Sequence, residues 1–192
     1  ILSAQLDTEI LMSKAINKSR EYIILNHDEA LNKENIKYFK KLVQERATKK
    51  PIAYILNKKF FWKNEFYVNK NTLIPRPDTE IIVEQILIVT KNKSNLRILD
   101  IGVGSGCILL SILKEKKNFY GTGIDISKNS LDISRINAKK LFVDERVKFF
   151  QSDVDKFDQG KYDLIVSNPP YINHNKIKYL ESDVSKFEPR LA

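Results

Sequence analysis

The run Ile98-Leu99-Asp100-Ile101-Gly102-Val103-Gly104-Ser105-Gly106-Cys107-Ile108-Leu109-Leu110 constrains this chain more than any other stretch. An apolar run of strand length stops on glycines, and an apolar helical pattern starts straight after them. That order specifies a buried strand feeding a helix through a tight turn. Such units build open α/β sheets, whose ligands bind outside the carboxyl ends of the strands. The glycines alternate as G-x-G-x-G instead of the G-x-G-x-x-G that seats a pyrophosphate on a helix N-terminus. Asp100 precedes them, where a carboxylate disfavours an anionic ligand. A cofactor with a positive centre and no phosphate fits better, and S-adenosylmethionine is the obvious one. The competing reading is a tight strand-to-helix turn without ligand.

Two further features follow in the order such a site needs. Tyr120-Gly121-Thr122-Gly123-Ile124-Asp125 reads as the next strand and ends in an acid about twenty residues beyond the loop, placed to bind a ribose diol. Asn168-Pro169-Pro170-Tyr171 follows the apolar run Tyr162-Asp163-Leu164-Ile165-Val166 and so falls at another strand's C-terminal end. An Asn before two prolines offers a side-chain amide and backbone carbonyls beside residues without N–H groups, and Tyr171 adds a flat ring. This corner suits a planar NH2 group, which donates two in-plane hydrogen bonds and can be covered by an aromatic face. Alone it reads equally as a turn that ends a strand. Asp153, in Gln151-Ser152-Asp153, is placed to meet the cofactor's adenine, or else is an ordinary turn residue.

The rest of the chain supplies the setting. Helix and strand alternate after residue 77, with strands expected near 97–102, 120–125, 147–151 and 162–167 and helices near 106–117 and 127–141, which favours a parallel sheet. A further helix, marked by Ile82, Ile86 and Val89, begins near Asp78. Upstream, Ile36, Phe39, Leu42, Val43 and Ala47 mark an amphipathic helix ended before Pro51; Leu6, Ile10, Leu11 and Ala15 suggest another, and Tyr22 to Leu25 a short third. Phe60-Phe61-Trp62 and Phe66-Tyr67-Val68 flank Lys63-Asn64-Glu65, as a β-hairpin with a three-residue connection would. Phe61, Trp62 and Tyr67 read as hairpin core more readily than as a base-stacking platform. The segment Thr72-Leu73-Ile74-Pro75-Arg76-Pro77-Asp78-Thr79-Glu80, stiffened by two prolines, holds Arg76 and the following turn rigidly. The expected division is therefore a helical domain over 1–58, a hairpin linker over 59–76 and an α/β domain over 77–192.

Composition excludes several classes. The net charge of +9 in 192 residues is concentrated at the front: residues 1–77 carry 15 Lys+Arg against 8 Asp+Glu, and residues 78–192 carry 18 against 16. A basic front suits nucleic acid or a nucleic-acid-bound partner through counterion release, or is simply a solvated Lys-rich surface. No apolar run approaches a membrane span, and the start lacks a signal peptide's build. The single cysteine, Cys107, has no internal disulfide partner and belongs by position to the helix under the glycine loop. A cytoplasmic location is expected. His27 and His174 have no cysteine or paired-carboxylate company at ligand spacing, so no metal site is expected and both read as surface residues.

The proline-rich Ile74 to Glu80 segment, the loop Leu99 to Gly106 and Val166-Ser167-Asn168-Pro169-Pro170-Tyr171-Ile172 occur in the order seen in the HemK/PrmC family, which this chain resembles over nearly its whole length. Ala53-Tyr54-Ile55-Leu56, Asp183-Val184 and Phe187-Glu188-Pro189 add to the resemblance. It implies a protein-(glutamine-N5) methyltransferase that uses S-adenosylmethionine to methylate the Gln of the Gly-Gly-Gln motif in class I peptide-chain release factors. It also implies the fold class: an N-terminal helical domain and β-hairpin, then a class I, Rossmann-like α/β methyltransferase domain with strands in the order 3-2-1-4. By resemblance, Gly102, Val103, Gly104, Ser105 and Gly106 line the cofactor, Asp125 binds its ribose, and Asp153 and Val154 lie on the adenine side. Family members often carry an aromatic residue in place of Val154. Asn168, bordering the cofactor, acts with Pro169, Pro170 and Tyr171 as the catalytic corner. The Asn-Pro-Pro-Tyr motif is shared with methyltransferases of adenine N6 or guanine N2, so a nucleic-acid amino-group methyltransferase stands as the alternative. A third is an inactive, truncated module that binds cofactor or partner. The family's sheet continues beyond the point where this sequence stops, at Ala192, and the chain reads as C-terminally truncated, with the fourth strand as an unpaired edge.

Overall fold

The computed structural model describes residues 4–169 and 186–189. It divides into two compact units, Ile1–Leu56 and Asn57–Ala192.

The first unit is helical: α1 (Ala4–Ile16), α2 (Arg20–Leu25), α3 (Lys33–Ala47) and α4 (Ile52–Leu56). Polar side chains set two of the starts, with Ser19 accepting from the Tyr22 N–H and Asn32 from the Asn35 N–H, each satisfying a donor the helix cannot. The core gathers Leu11, Ala15, Leu42 and Ile55, with Ile16, Phe39 and Ile52 against it. Leu6, Ile36 and Val43, expected on inward faces, are exposed. Asp7 of α1 and Arg46 of α3 meet at 2.7 Å, both largely shielded from water. Pro51, read as a stop, also opens α4: its carbonyl accepts from the Tyr54 and Ile55 N–H groups, and a proline at a helix start needs no donor of its own.

The second unit begins with a hairpin, β1 (Lys58–Phe61) and β2 (Asn64–Tyr67), in the register Lys58↔Tyr67 to Phe61↔Asn64. The connection is therefore the two residues Trp62 and Lys63, not the expected three, and Asn64 and Glu65 belong to the strand. The tighter turn is anchored from outside. Trp62, at φ 54°, donates its backbone N–H to Glu80 at 2.8 Å and its indole N–H to Glu115 at 2.9 Å. Phe61 and Phe66 are buried and meet edge to face.

A 3-10 turn (Pro77–Thr79) leads into α5 (Glu80–Val89), after which strands and helices alternate: β3 (Arg97–Ile101), α6 (Cys107–Glu115), β4 (Tyr120–Asp125), α7 (Lys128–Lys140), β5 (Val147–Gln151) and β6 (Leu164–Ser167). The sheet is parallel in the order β5-β4-β3-β6, the expected 3-2-1-4 when counted from β3. Ile108 to Leu113 of α6 are all buried, as a helix apolar on every side requires. Gly121 permits that depth: a Cβ there would lie 2.9 Å from Leu109 Cδ1 and 3.0 Å from Leu113 Cδ1. Beyond its C-terminus the Arg146 guanidinium donates to the carbonyls of Leu113, Lys116 and Phe119, satisfying acceptors the helix leaves open. Among the described residues β6 pairs with β3 alone, and Ile165 is 62% exposed.

Candidate functional site

The carboxyl ends of β3, β4, β5 and β6 open into one cavity of about 550 Å³, within the range of small-molecule and cofactor sites. Its floor is the turn after β3. The Gly102 and Val103 N–H groups both donate to the Ile124 carbonyl at 2.9 Å, which ties the loop to the neighbouring strand. Gly104, at φ 56°, donates its N–H to Asp125 Oδ2 at 3.0 Å, while Asp125 Oδ1 accepts from the Ser127 N–H at 2.8 Å. Asp125 thus shapes the turn with one lone pair on each oxygen and keeps others for a ligand. Gly106, at φ 80°, caps α6 behind the wall, where a Cβ would come within 2.7 Å of Leu110. It supports the loop from outside the cavity lining, a different place from the one expected of it. At Gly102 the opposite holds: a Cβ would meet nothing within 4 Å.

Of the residues singled out from the sequence, Gly102, Val103, Gly104, Ser105, Asp125, Asp153, Val154, Asn168 and Pro169 lie around this one cavity. Pro170 and Tyr171 lie outside the described residues, as do His174 and the Asp183-Val184 pair. Asp153 fills the turn role that its residue type favours, capping the 3-10 turn Val154–Lys156, and borders the cavity as well. Val154 is half exposed. The Asn168 side-chain amide has no hydrogen-bond partner among the described residues and is only partly buried. Cys107 borders the cavity too, and burial pushes its thiol up to about 12, so it remains protonated and unreactive.

The charge around the cavity favours a cation. Asp100, Asp125 and Asp153 line it, and the one cationic lining residue among those described, Arg76, is paired with Glu188 at 2.6 Å. Asp100 is 2% exposed, and its carboxyl is pushed up to about 8 by burial; the Leu109 backbone N–H works against the rise and the nearby Asp125 charge adds to it. A positive ligand centre in the cavity would favour the ionised form.

One whole wall was not among the site residues read from the sequence. Asn71, Thr72, Leu73, Pro75, Arg76 and Thr79 face the cavity from the segment after the hairpin, and Pro189 closes it beside them. Glu188 Oε2 accepts from the Ile74 N–H at 3.4 Å while Oε1 accepts from Arg76, so one carboxylate fixes the segment at two points. The two prolines were the available signal, since they announce a rigid segment without saying what it faces.

A family model described as Methyltransferase small domain matches residues 79–183, and one described as PrmC N-terminal domain matches residues 1–56. A release factor glutamine methyltransferase of Buchnera aphidicola subsp. Baizongia pistaciae is 41% identical over 99% of this chain and 68% of its own length. The chain belongs to the release factor glutamine methyltransferase family. A bifunctional methyltransferase of Rickettsia conorii is 36% identical over the whole chain, which spans 41% of that protein. The crystal structure of an S-adenosylmethionine-dependent methyltransferase from Geobacter sulfurreducens, solved with S-adenosyl-L-homocysteine, is 25% identical, with a TM-score of 0.41 over 48% of this chain and 36% of that one. The cavity of this family member fits the family's sulfonium cofactor on its own geometry: acidic lining, no unpaired cation among the described lining residues, and open space over Gly102. Among the described residues no helix is long and apolar enough to cross a membrane.

Proposed function

We propose that this chain methylates the side-chain amide nitrogen of the glutamine in the Gly-Gly-Gln motif of class I peptide-chain release factors in the cytoplasm, with S-adenosylmethionine as donor. The observation that carries the reading is the Asn168 amide, which has no hydrogen-bond partner among the described residues and borders an acid-lined cavity floored by glycine backbone. When bound, S-adenosylmethionine supplies an electrophilic methyl group. A glutamine nitrogen is a poor nucleophile because its lone pair is delocalised into the carbonyl. Asn168 Oδ1 and the Pro169 carbonyl accept its two N–H bonds and fix its orientation toward the cavity. Pro169 brings no N–H of its own to compete for those acceptors. Catalysis is then positioning and electrostatic support, and the proton that the methylated nitrogen sheds passes to water, with no side-chain base required. Gly102 to Ser105 hold the cofactor against the loop, Asp125 takes the ribose hydroxyls on its remaining lone pairs, and Asp153 and Val154 border the adenine. Asp100 stabilises the cationic end of the ligand from beneath.

Replacing Asn168 tests the reading. Asn168→Ala is expected to lower methyl transfer to a release factor by about 100-fold or more, the scale of removing one oriented hydrogen-bonding group. Binding of S-adenosylhomocysteine, measured by calorimetry, is expected to stay within about threefold, since only one lost rim contact is at stake. Full activity in that variant refutes the role given to Asn168.

A further inference from the structure

Helix α7 carries a stripe that a core-facing helix would ordinarily fill with apolar residues. Ser130, Ser134 and Asn137 are buried, Ser134 and Asn137 completely. Each reaches a backbone carbonyl of the glycine loop, of the segment after the hairpin, or of the hairpin's end. Ser130 Oγ donates to the Asn71 carbonyl at 2.9 Å, and Ser134 Oγ to the Gly104 carbonyl at 2.7 Å. Asn137 Nδ2 donates to the carbonyls of Ser105 and Tyr67, both at 2.9 Å, while Oδ1 accepts from the Tyr67 N–H at 2.7 Å.

Asn137 is the member with no substitute. Its amide spends both donors and an acceptor, so one side chain ties the end of the hairpin to the glycine loop. Both Tyr67 backbone groups point away from β1, because Lys58↔Tyr67 is a non-hydrogen-bonded pair of the antiparallel ladder, with Val68 bonded to Asn57 beyond it. The Ser105 carbonyl belongs to the turn that lines the cavity. A buried amide left half-satisfied costs more than the bond it loses, so the two attachments hold or fail together.

We propose that Asn137 is a positioning residue that couples the cofactor loop to the β-hairpin, so that filling the cavity tightens the hairpin's C-terminal end and loosening the hairpin weakens cofactor binding. The proposal rests on the cofactor reading of the cavity. Reciprocity is required of any such link: the factor by which the ligand stabilises the hairpin contact is the factor by which the contact raises ligand affinity. Ser134 serves as the internal contrast, since its hydroxyl donates to Gly104 of the loop and not to the hairpin.

The test is amide hydrogen exchange of the 192-residue chain, with and without saturating S-adenosylhomocysteine. The Tyr67 N–H points at Asn137 and reports on it directly. In the unmodified chain the ligand is expected to slow Tyr67 exchange by about fivefold or more, the lower end of ordinary coupling. Asn137→Asp keeps an acceptor for the Tyr67 N–H but has no donor for the carbonyls of Ser105 and Tyr67. It is expected to bind S-adenosylhomocysteine at least about fivefold more weakly and to abolish the ligand's effect at Tyr67. Ser134→Ala is expected to weaken binding while leaving that effect in place. A purely structural Asn137 would lower the melting temperature without touching the ligand dependence of one hairpin amide. Binding that leaves Tyr67 exchange unchanged in the unmodified chain overturns the proposal alone, and this arm needs no variant to fold. Absence of binding to the unmodified chain overturns the cofactor reading and the proposal with it.

Discussion

The two walls of the cavity are built by opposite means. The glycine-loop wall is made mostly of backbone: β3, its turn and α6 follow one another directly, the turn's own N–H groups reach only to Ile124 and Asp125 on the neighbouring strand, and Ser134 and Asn137 brace it from behind. The wall facing it is made of side chains that meet from far apart, Glu188 holding Ile74 and Arg76, and Ser130 holding Asn71. A wall of the first kind is specified by residue types that permit a conformation, and one of the second kind by pairs that must find each other. Substitution should therefore fail differently on the two sides: loss of ligand space on the first, loss of anchoring on the second.

The largest effect is expected at Gly102. Gly102→Val places a branched side chain in the open space above the loop, at a positive φ of 73°. The strain costs about 1–2 kcal/mol, and occlusion of the cavity should weaken S-adenosylhomocysteine binding by about 100-fold or more. Calorimetry and thermal unfolding separate the two; a variant that binds normally would detach the glycine loop from the ligand.

A smaller effect on the same wall is expected from pH. Asp100 holds its proton up to about 8 in the folded chain, against an ordinary value of 3.8. Between those values the folded state binds the extra proton, so the stability this group contributes is fully present below pH 3.8 and is lost as pH rises through about 8. A cationic ligand draws the other way, favouring the carboxylate. Its affinity is expected to climb by up to about tenfold per pH unit below pH 8, with proton release on binding. Asp100→Asn should flatten both dependences; an affinity profile unchanged by that substitution would remove Asp100 from the account.

The smallest effect belongs to the side-chain wall. Arg76→Ala leaves the Glu188 carboxylate, 3% exposed, without its partner, whereas the arginine is 40% exposed and its place is open to water. The expected loss is about 1–2 kcal/mol in denaturant unfolding, between the values for exposed and buried pairs. Glu188→Gln in the same chain should recover part of it. If Arg76→Ala instead abolished binding with stability intact, Arg76 would be a ligand contact and not an anchor.

The difference between the walls also decides what could be read in the sequence. Strand, glycines and helix announce themselves through period and residue type, and the order of the four parallel strands followed from the resemblance those motifs carried. Asp125 and Asn168 were legible because each ends an apolar run. The hairpin connection was expected at 63–65 and lies at 62–63, because Glu80 and Glu115, far along the chain, hold Trp62 in the turn. Gly106 reads like its two neighbours but serves packing, since only the position of Leu110 reveals it. Asn137 and Ser134 look like surface residues of an amphipathic helix, and nothing local shows that the carbonyls of Gly104 and Ser105 wait on that face. Glu188 and its partners Ile74 and Arg76 were each noticed within a motif, but their pairing, across more than a hundred residues, was not.

The most direct measurement of the central claim is transfer of labelled methyl from S-adenosylmethionine by this chain to three acceptors: a class I release factor, the same factor with the glutamine of its Gly-Gly-Gln motif replaced by alanine, and transfer RNA. The account predicts label on the first alone. Label on the RNA with none on the release factor, or cofactor binding with label on no acceptor, would contradict it.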